Sequence, residues 1–184
     1  MDLGPALDHL AAGDVVGVPT DTVYGIAADP YSETAVGKLF TIKGRWLGKP
    51  IGLLAAGIEQ AAEVVDLPEY AVDLARQHWP GPLNLVGRPL VDVLVGTLDS
   101  LAVRVPNHET ALELLRSFGA LAVTSANLAG GPESTSDIEA RALLGDAVAL
   151  YLPGTCPGGT ASTTVDVRGP APIILRPGPI DLSP

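Results

Sequence analysis

Asp14-Val15-Val16-Gly17-Val18-Pro19-Thr20-Asp21-Thr22-Val23-Tyr24-Gly25 joins an apolar run to a hydroxyl-rich one. Val15 to Val18 reads as a buried strand, because a short run of three valines with no polar residue, bounded by turn residues, suits a strand covered on both faces. Upstream, Leu3, Leu7 and Leu10 share one helix face and Gly13 supplies the stop. A helix followed by a buried strand is the unit of an α/β domain, and the rest of the chain repeats the alternation.

Ser32 reads as the N-cap of a helix carrying Val36, Leu39 and Phe40 on one side. Ile51 to Ala55 is the next strand. Helices follow over Ile58 to Val65 and Glu69 to His78, and Trp79-Pro80-Gly81-Pro82 breaks the second. Leu83 to Val86 and Leu101 to Val105 read as strands, His108 to Phe118 as a helix, and Leu121 to Thr124 as a strand running into a polar turn. Ser136 caps a helix through Leu144. Short strands lie near Ala147 to Leu152, Thr163 to Val167 and Ile173 to Arg176, with a Gly/Pro loop over Pro153 to Gly159. There is no repeat and no linker, so the 184 residues are expected to form a single domain, 1–184.

With hydrophobic residues at 47% and charged residues at 17%, the chain is globular rather than disordered. Aromatics are only 4%, so Val, Leu, Ile and Ala must build the core. The net charge of −10 opposes a broad nucleic-acid footprint, though a local basic pocket can differ in sign from the whole. Cys156 is the single cysteine, which excludes an intrachain disulfide. No apolar run reaches the roughly 18 residues of a membrane span, and the first residues lack the basic start of a signal peptide. The expected location is cytoplasmic.

Four segments carry chemistry. If residues 19–25 stay extended, Thr20, Thr22 and Tyr24 point to one side, at a strand end where α/β sheets bind ligands; the same residues also suit a Thr-rich edge strand. Lys43-Gly44-Arg45 and Lys49 place three cations within seven residues of a chain with eleven Lys plus Arg. They suit either a polyphosphate or a solvated turn. Arg104 interrupts the apolar run 101–105 and is costly to bury unpaired. It can hold a ligand carboxylate bidentately, face water, or form an internal salt bridge. Thr124-Ser125-Ala126-Asn127 ends a strand with small polar groups that fit either a nucleotide or a turn.

Other chemistries leave no trace. There is no GxxxxGK[ST] loop and no GxGxxG fingerprint. His9, His78 and His108 lack metal-ligand spacing, no Ser/His/Asp arrangement is evident, and Cys156 has no evident activating partner and reads as a bystander.

Taken in order, PTDTVYG, KGR with KP behind it, WPGPL, VRVP, TSAN, STTVD and ILRPG resemble the YrdC/Sua5 family from about Val16 to Ile180. The resemblance implies a twisted open mixed α/β sheet with flanking helices and a concave cationic cavity. It implies synthesis of threonylcarbamoyl-AMP from L-threonine, bicarbonate or CO2, and ATP, with release of pyrophosphate. The product would pass to a tRNA threonylcarbamoyl transferase for modification of a tRNA adenosine. Carried over by residue, Thr20, Thr22, Tyr24, Arg104 and Ser162 would bind threonine. Lys43, Arg45, Lys49, Ser100, Ser125, Asn127 and Arg176 would bind the nucleotide, with Lys43 and Arg45 catalytic. Mg2+ would arrive with ATP, no dedicated metal site is expected, and neither stable nucleic-acid binding nor a membrane is implied. The chain stops soon after ILRPG, so the extra C-terminal domain of the longer Sua5 type is expected to be absent.

The sequence departs from the family pattern at Trp46, Asn84, Ala129, Glu133 and Leu54, which bears on substrate identity more than on fold. Two alternatives stay open: a carbamoyl-adenylate former using carbamoyl phosphate, and a noncatalytic RNA-binding module.

Overall fold

A computed structural model describes residues 1–44, 50–158 and 160–182. In chain order the elements are α1 (Gly4–Ala11), β1 (Val16–Val18), β2 (Gly25–Ala28), α2 (Glu33–Lys43), β3 (Gly52–Leu54), α3 (Ile58–Val64), β4 (Val65–Asp66), α4 (Glu69–His78) and β5 (Leu83–Pro89). They continue as β6 (Leu101–Arg104), α5 (Glu109–Phe118), β7 (Leu121–Ser125), α6 (Asp137–Leu144), β8 (Leu150–Tyr151), β9 (Thr163–Asp166) and β10 (Ile173–Arg176).

Local chemistry sets the helix ends. The Ser32 hydroxyl accepts from Ala35 N at 3.2 Å, and Gly44 closes α2 in the left-handed region at φ 58°. Ser136 accepts from Glu139 N at 3.2 Å while Glu139 reaches back to Thr135 N at 2.7 Å, a reciprocal cap on α6. Both caps fall where the sequence places them.

The strands form one open mixed sheet in the order β10-β9-β5-β6-β3-β7-β2-β1-β8, with β4 pairing on β5. β1/β8, β3/β6 and β5/β9 are parallel, and the other pairings are antiparallel. Strand alternation sends side chains to two faces. On one face Ile26, Leu53, Leu85, Val103 and Ala122 pack with Leu39 of α2, Ala61 of α3, Ala71 of α4 and Ala140 of α6. On the other, Val16, Val18, Leu54 and Leu121 pack with Leu10 of α1 and Leu114 and Leu115 of α5.

On that second face the strands also carry Gly52, Asn84, Ala102 and Thr164, which are small or polar, and together they floor a cavity. Among the described residues, no helix is long and apolar enough to cross a membrane.

Two elements were not anticipated. β2 is built from Gly25-Ile26-Ala27-Ala28, and β4 takes over where the third helix was expected to run on to Val65.

Candidate functional site

The cavity has a volume of about 480 Å3 and opens over the centre of the sheet. Among the described residues three arginines reach it, Arg104, Arg168 and Arg176, against one carboxylate, Glu133.

Arg104 ends β6 beside Leu54 of β3 and is only 6% exposed. Its Nε donates to Gly81 O at 3.1 Å, and its Nη1 donates to Thr22 Oγ1 at 3.0 Å and Ser162 Oγ at 2.6 Å. Its Nη2 donates to Asp21 Oδ1 in a salt bridge. Burial pushes the guanidinium below its ordinary range and Asp21 opposes that shift; an arginine stays charged through such a change. Arg104 is therefore both an internal salt bridge and a cavity residue. Of the five N–H groups of a guanidinium, the described residues take four. Bidentate pairing with a ligand carboxylate, anticipated above, is not open to it in this arrangement. One N–H remains, and a second donor must come from a neighbour.

The hydroxyl network supplies that donor. Thr20 Oγ1 donates to Val23 O at 2.7 Å, so in its 3.1 Å contact with Thr22 it must accept and Thr22 must donate. Thr22 Oγ1 thus gives its proton to Thr20, takes one from Arg104, and keeps a lone pair toward the cavity. Ser162 accepts from Arg104, and its own proton has no acceptor among the described residues. This corner offers a ligand two donors, one from Arg104 and one from Ser162, beside one acceptor on Thr22. A carboxylate next to an N–H or O–H group matches it.

The WPGPL segment explains part of this geometry. Gly81 N donates to Val105 O at 2.9 Å and Gly81 O receives Arg104 Nε. A Cβ on Gly81 would lie 2.4 Å from His78 O, so the approach requires glycine.

A second corner forms where β7 ends. Ser125 faces the cavity and donates to Asn127 Oδ1 at 2.7 Å. Asn127 Nδ2 donates to Gly131 O at 2.6 Å. Lys43, 0% exposed, donates to Ser125 O at 2.5 Å and to Asn127 Oδ1. A third wall carries Ser100, bonded to Thr97 at 2.6 Å, and Arg176, whose Nε and Nη2 donate to Ser162 O at 3.1 and 3.0 Å.

Of the anticipated residues, Thr20, Thr22, Ser100, Arg104, Ser125, Ser162 and Arg176 meet at this cavity. Tyr24 does not. The turn closed by Thr20 and Val23 breaks the alternation, and Tyr24 enters the core, fully buried, with its OH on Leu152 O at 2.6 Å. Burial pushes that phenol far above its ordinary range. Lys43 and Asn127 lie behind the wall and organise Ser125 instead of lining the cavity. Arg45, Trp46 and Lys49 lie outside the described residues.

Cys156 is more than a bystander in structure. Its buried sulfur accepts from Thr20 N at 3.3 Å, and burial pushes the thiol up, away from the nucleophilic thiolate. Sequence reasoning passed over Asp21, Gly81 and Arg168. Arg168 lines the cavity and is held by Asp166 at 2.7 Å and Asp99 at 3.2 Å. The signal for Asp21 was present, since a strand-interior Arg demands an acid, but nothing local indicates which one.

The Sua5/YciO/YrdC family model, described as telomere recombination, matches residues 8–178. A Mycobacterium tuberculosis protein is 41% identical over 180 residues, covering 95% of this chain and 83% of that protein. The threonylcarbamoyl-AMP synthase of Enterobacter sp. strain 638 is 39% identical over 151 residues, 78% of this chain and 80% of that protein. Pyrococcus abyssi Sua5, solved in complex with L-threonine, aligns with a TM-score of 0.89 at 36% identity, covering 95% of this chain and 53% of that one. This chain thus spans about half the length of the archaeal protein. An α/β sheet with this strand order, a cavity at the ends of β6 and β7, and a match running through residues 8–178 lead to one assignment: the chain belongs to the Sua5/YciO/YrdC family.

Proposed function

We propose that the chain is a nucleotidyltransferase that makes threonylcarbamoyl-AMP from L-threonine, bicarbonate or CO2, and ATP, releasing pyrophosphate. The observation that carries this reading is the donor–donor–acceptor corner of Arg104, Ser162 and Thr22, which shares one cavity with Ser125 and Arg176.

The corner suits an α-amino acid. The carboxylate takes the donors of Arg104 and Ser162, and the neighbouring N–H or hydroxyl of threonine gives its proton to Thr22. The neutral amine attacks CO2, forming the C–N bond of a carbamate and releasing one proton to solvent, and a carbamate oxygen attacks the α-phosphorus of ATP. The bond from that phosphorus to the bridging oxygen breaks, and pyrophosphate leaves with its electron pair. Both reactants are anionic, so positive charge and positioning carry the catalysis and no enzyme nucleophile is required. In this reading Arg176, Ser100 and Ser125 contact the nucleotide, and Lys43 supports that role by its hydrogen bond to Ser125 O. Arg45 and Lys49 complete the phosphate grip in this reading. Glu133, the single carboxylate among the described lining residues, fits an Mg2+ that arrives on ATP and keeps its waters, since such an ion needs only one or two protein oxygens. The product then passes to a tRNA threonylcarbamoyl transferase, and the reaction runs in the cytoplasm.

Pyrophosphate release with ATP and bicarbonate tests the reading across threonine, serine, other amino acids and carbamoyl phosphate. Stimulation by threonine is expected. Stimulation by carbamoyl phosphate alone would transfer the chain to carbamoyl-adenylate chemistry. RNA binding without turnover would leave a binding module.

A further inference from the structure

Among the described residues Asp21 is the one acid in contact with Arg104, and it is not among those that line the cavity. Its Oδ1 accepts from Arg104 Nη2 and from Asn107 N, the latter at 3.0 Å. The two side chains are 8% and 13% exposed, so the pair is largely buried, with Arg104 in the cavity wall and Asp21 behind it. Asn107 lies two residues before the start of α5, and Asp21 follows β1. One carboxylate therefore ties two distant loops and a guanidinium together.

The guanidinium is held from two sides. Gly81 O fixes Nε, and Asp21 fixes Nη2. These contacts set the rotation of the guanidinium plane, and that rotation aims Nη1 at Thr22 and Ser162. With Asp21 gone, Nη2 would have no partner among the described residues, and the plane would lose its anchor on that side while the Nε and Nη1 contacts remained. We propose that Asp21 is the positioning residue of the amino-acid subsite: it acts through Arg104, by the geometry of its acceptor oxygen, and never touches the substrate. This inference rests on the reading of Arg104 given above.

The role separates from a purely electrostatic one. A negative charge one residue behind the subsite opposes an incoming carboxylate, whereas an acceptor oxygen in the same place aims the arginine toward it. Asp21→Asn keeps an acceptor for Nη2 and Asn107 N but loses the charge. Asp21→Ala loses both.

The test measures affinity for L-threonine and for ATP by calorimetry in the wild type, Asp21→Asn, Asp21→Ala and Arg104→Gln, with melting temperatures alongside. Asp21→Ala is expected to weaken threonine at least tenfold while ATP stays within about twofold. Asp21→Asn is expected to keep threonine within about threefold of wild type. Equal losses in Asp21→Asn and Asp21→Ala, or equal losses for threonine and ATP, would overturn the positioning role. Unchanged threonine affinity in Asp21→Ala with a large loss in Arg104→Gln would overturn it too, while leaving the reading of Arg104 intact. Unchanged threonine affinity in Arg104→Gln would remove that reading itself. Should Arg104→Gln unfold because Asp21 is left unpaired, Asp21→Asn combined with Arg104→Gln gives the same comparison without the orphaned charge.

Discussion

Replacing Ser162 by alanine removes one oxygen from the core of the site. Ser162 is 3% exposed, its Oγ accepts from Arg104 Nη1 at 2.6 Å, and the hydroxyl proton has no acceptor among the described residues. Two interactions change at once. The substrate carboxylate loses a charge-assisted hydrogen bond, worth about 1.5–3 kcal/mol where it is well formed. Arg104 regains an N–H that can turn toward the carboxylate and recover part of that loss. The expected net penalty is about 1.5 kcal/mol, or roughly tenfold in affinity for threonine. The Arg176 contacts to Ser162 are made by the backbone carbonyl, which alanine keeps, so the nucleotide wall should stay in place. The assay is initial-rate pyrophosphate release, with KM for threonine measured at saturating ATP and bicarbonate and then KM for ATP at saturating threonine. The reasoning requires KM for threonine to rise about tenfold and KM for ATP to move less than about twofold. A threonine KM within twofold of wild type would refute the donor assignment at Ser162. An equal rise in both would show that the substitution acts on the fold.

Three further outcomes follow from the same geometry. Lys43→Met leaves Ser125 O and Asn127 Oδ1 without their buried ammonium, so thermal denaturation should show a loss of about 3 kcal/mol, and ATP affinity should fall because the Ser125–Asn127 turn loosens. Gly178→Ala would place a Cβ 2.4 Å from Thr163 N and 2.7 Å from Ser162 C, both backbone atoms, so the 176–180 turn must shift. A destabilisation of about 2 kcal/mol, roughly 4–8 °C in Tm, is expected by calorimetry. His108 has a buried Nδ1 without a partner among the described residues, and burial lowers its pKa against the opposing pull of Asp21 and Glu109. The unfolded chain therefore binds the His108 proton more readily, and this contribution to stability is present above the ordinary histidine pKa and lost as pH falls below it. His108→Gln should reduce the drop in Tm between pH 7.5 and pH 5.5.

Much of this architecture can be read from local chemistry. Ser32 and Ser136 cap helices where side-chain oxygens meet orphan amides, and the buried run at 15–18, with three valines around Gly17, supplies the strand β1. β2 escapes such reading because Gly25, Ala27 and Ala28 carry no strand preference; the ladder with β7, and the inward Ile26, make it a strand. β4 is two residues long and owes its place to β5.

The site is legible in part for the same reason. Thr20, Thr22 and Ser125 sit at strand ends, where position along the chain predicts position in space. Tyr24 was misplaced because the Thr20–Val23 hydrogen bond ends the extended run that alternation assumes. Asp21 pairs with a residue 83 positions away, a distance over which a single sequence carries no register. Arg168 shows no motif and reaches the cavity because β9 runs parallel to β5.

The most direct measurement of the central claim is mass spectrometry of the product formed from ATP, L-threonine and carbon-13 bicarbonate. The account predicts an adenylate that contains threonine, AMP and one labelled carbon, formed together with pyrophosphate and absent when threonine is withheld. An unlabelled adduct, an adenylate lacking threonine, or ATP consumption indifferent to threonine would contradict it.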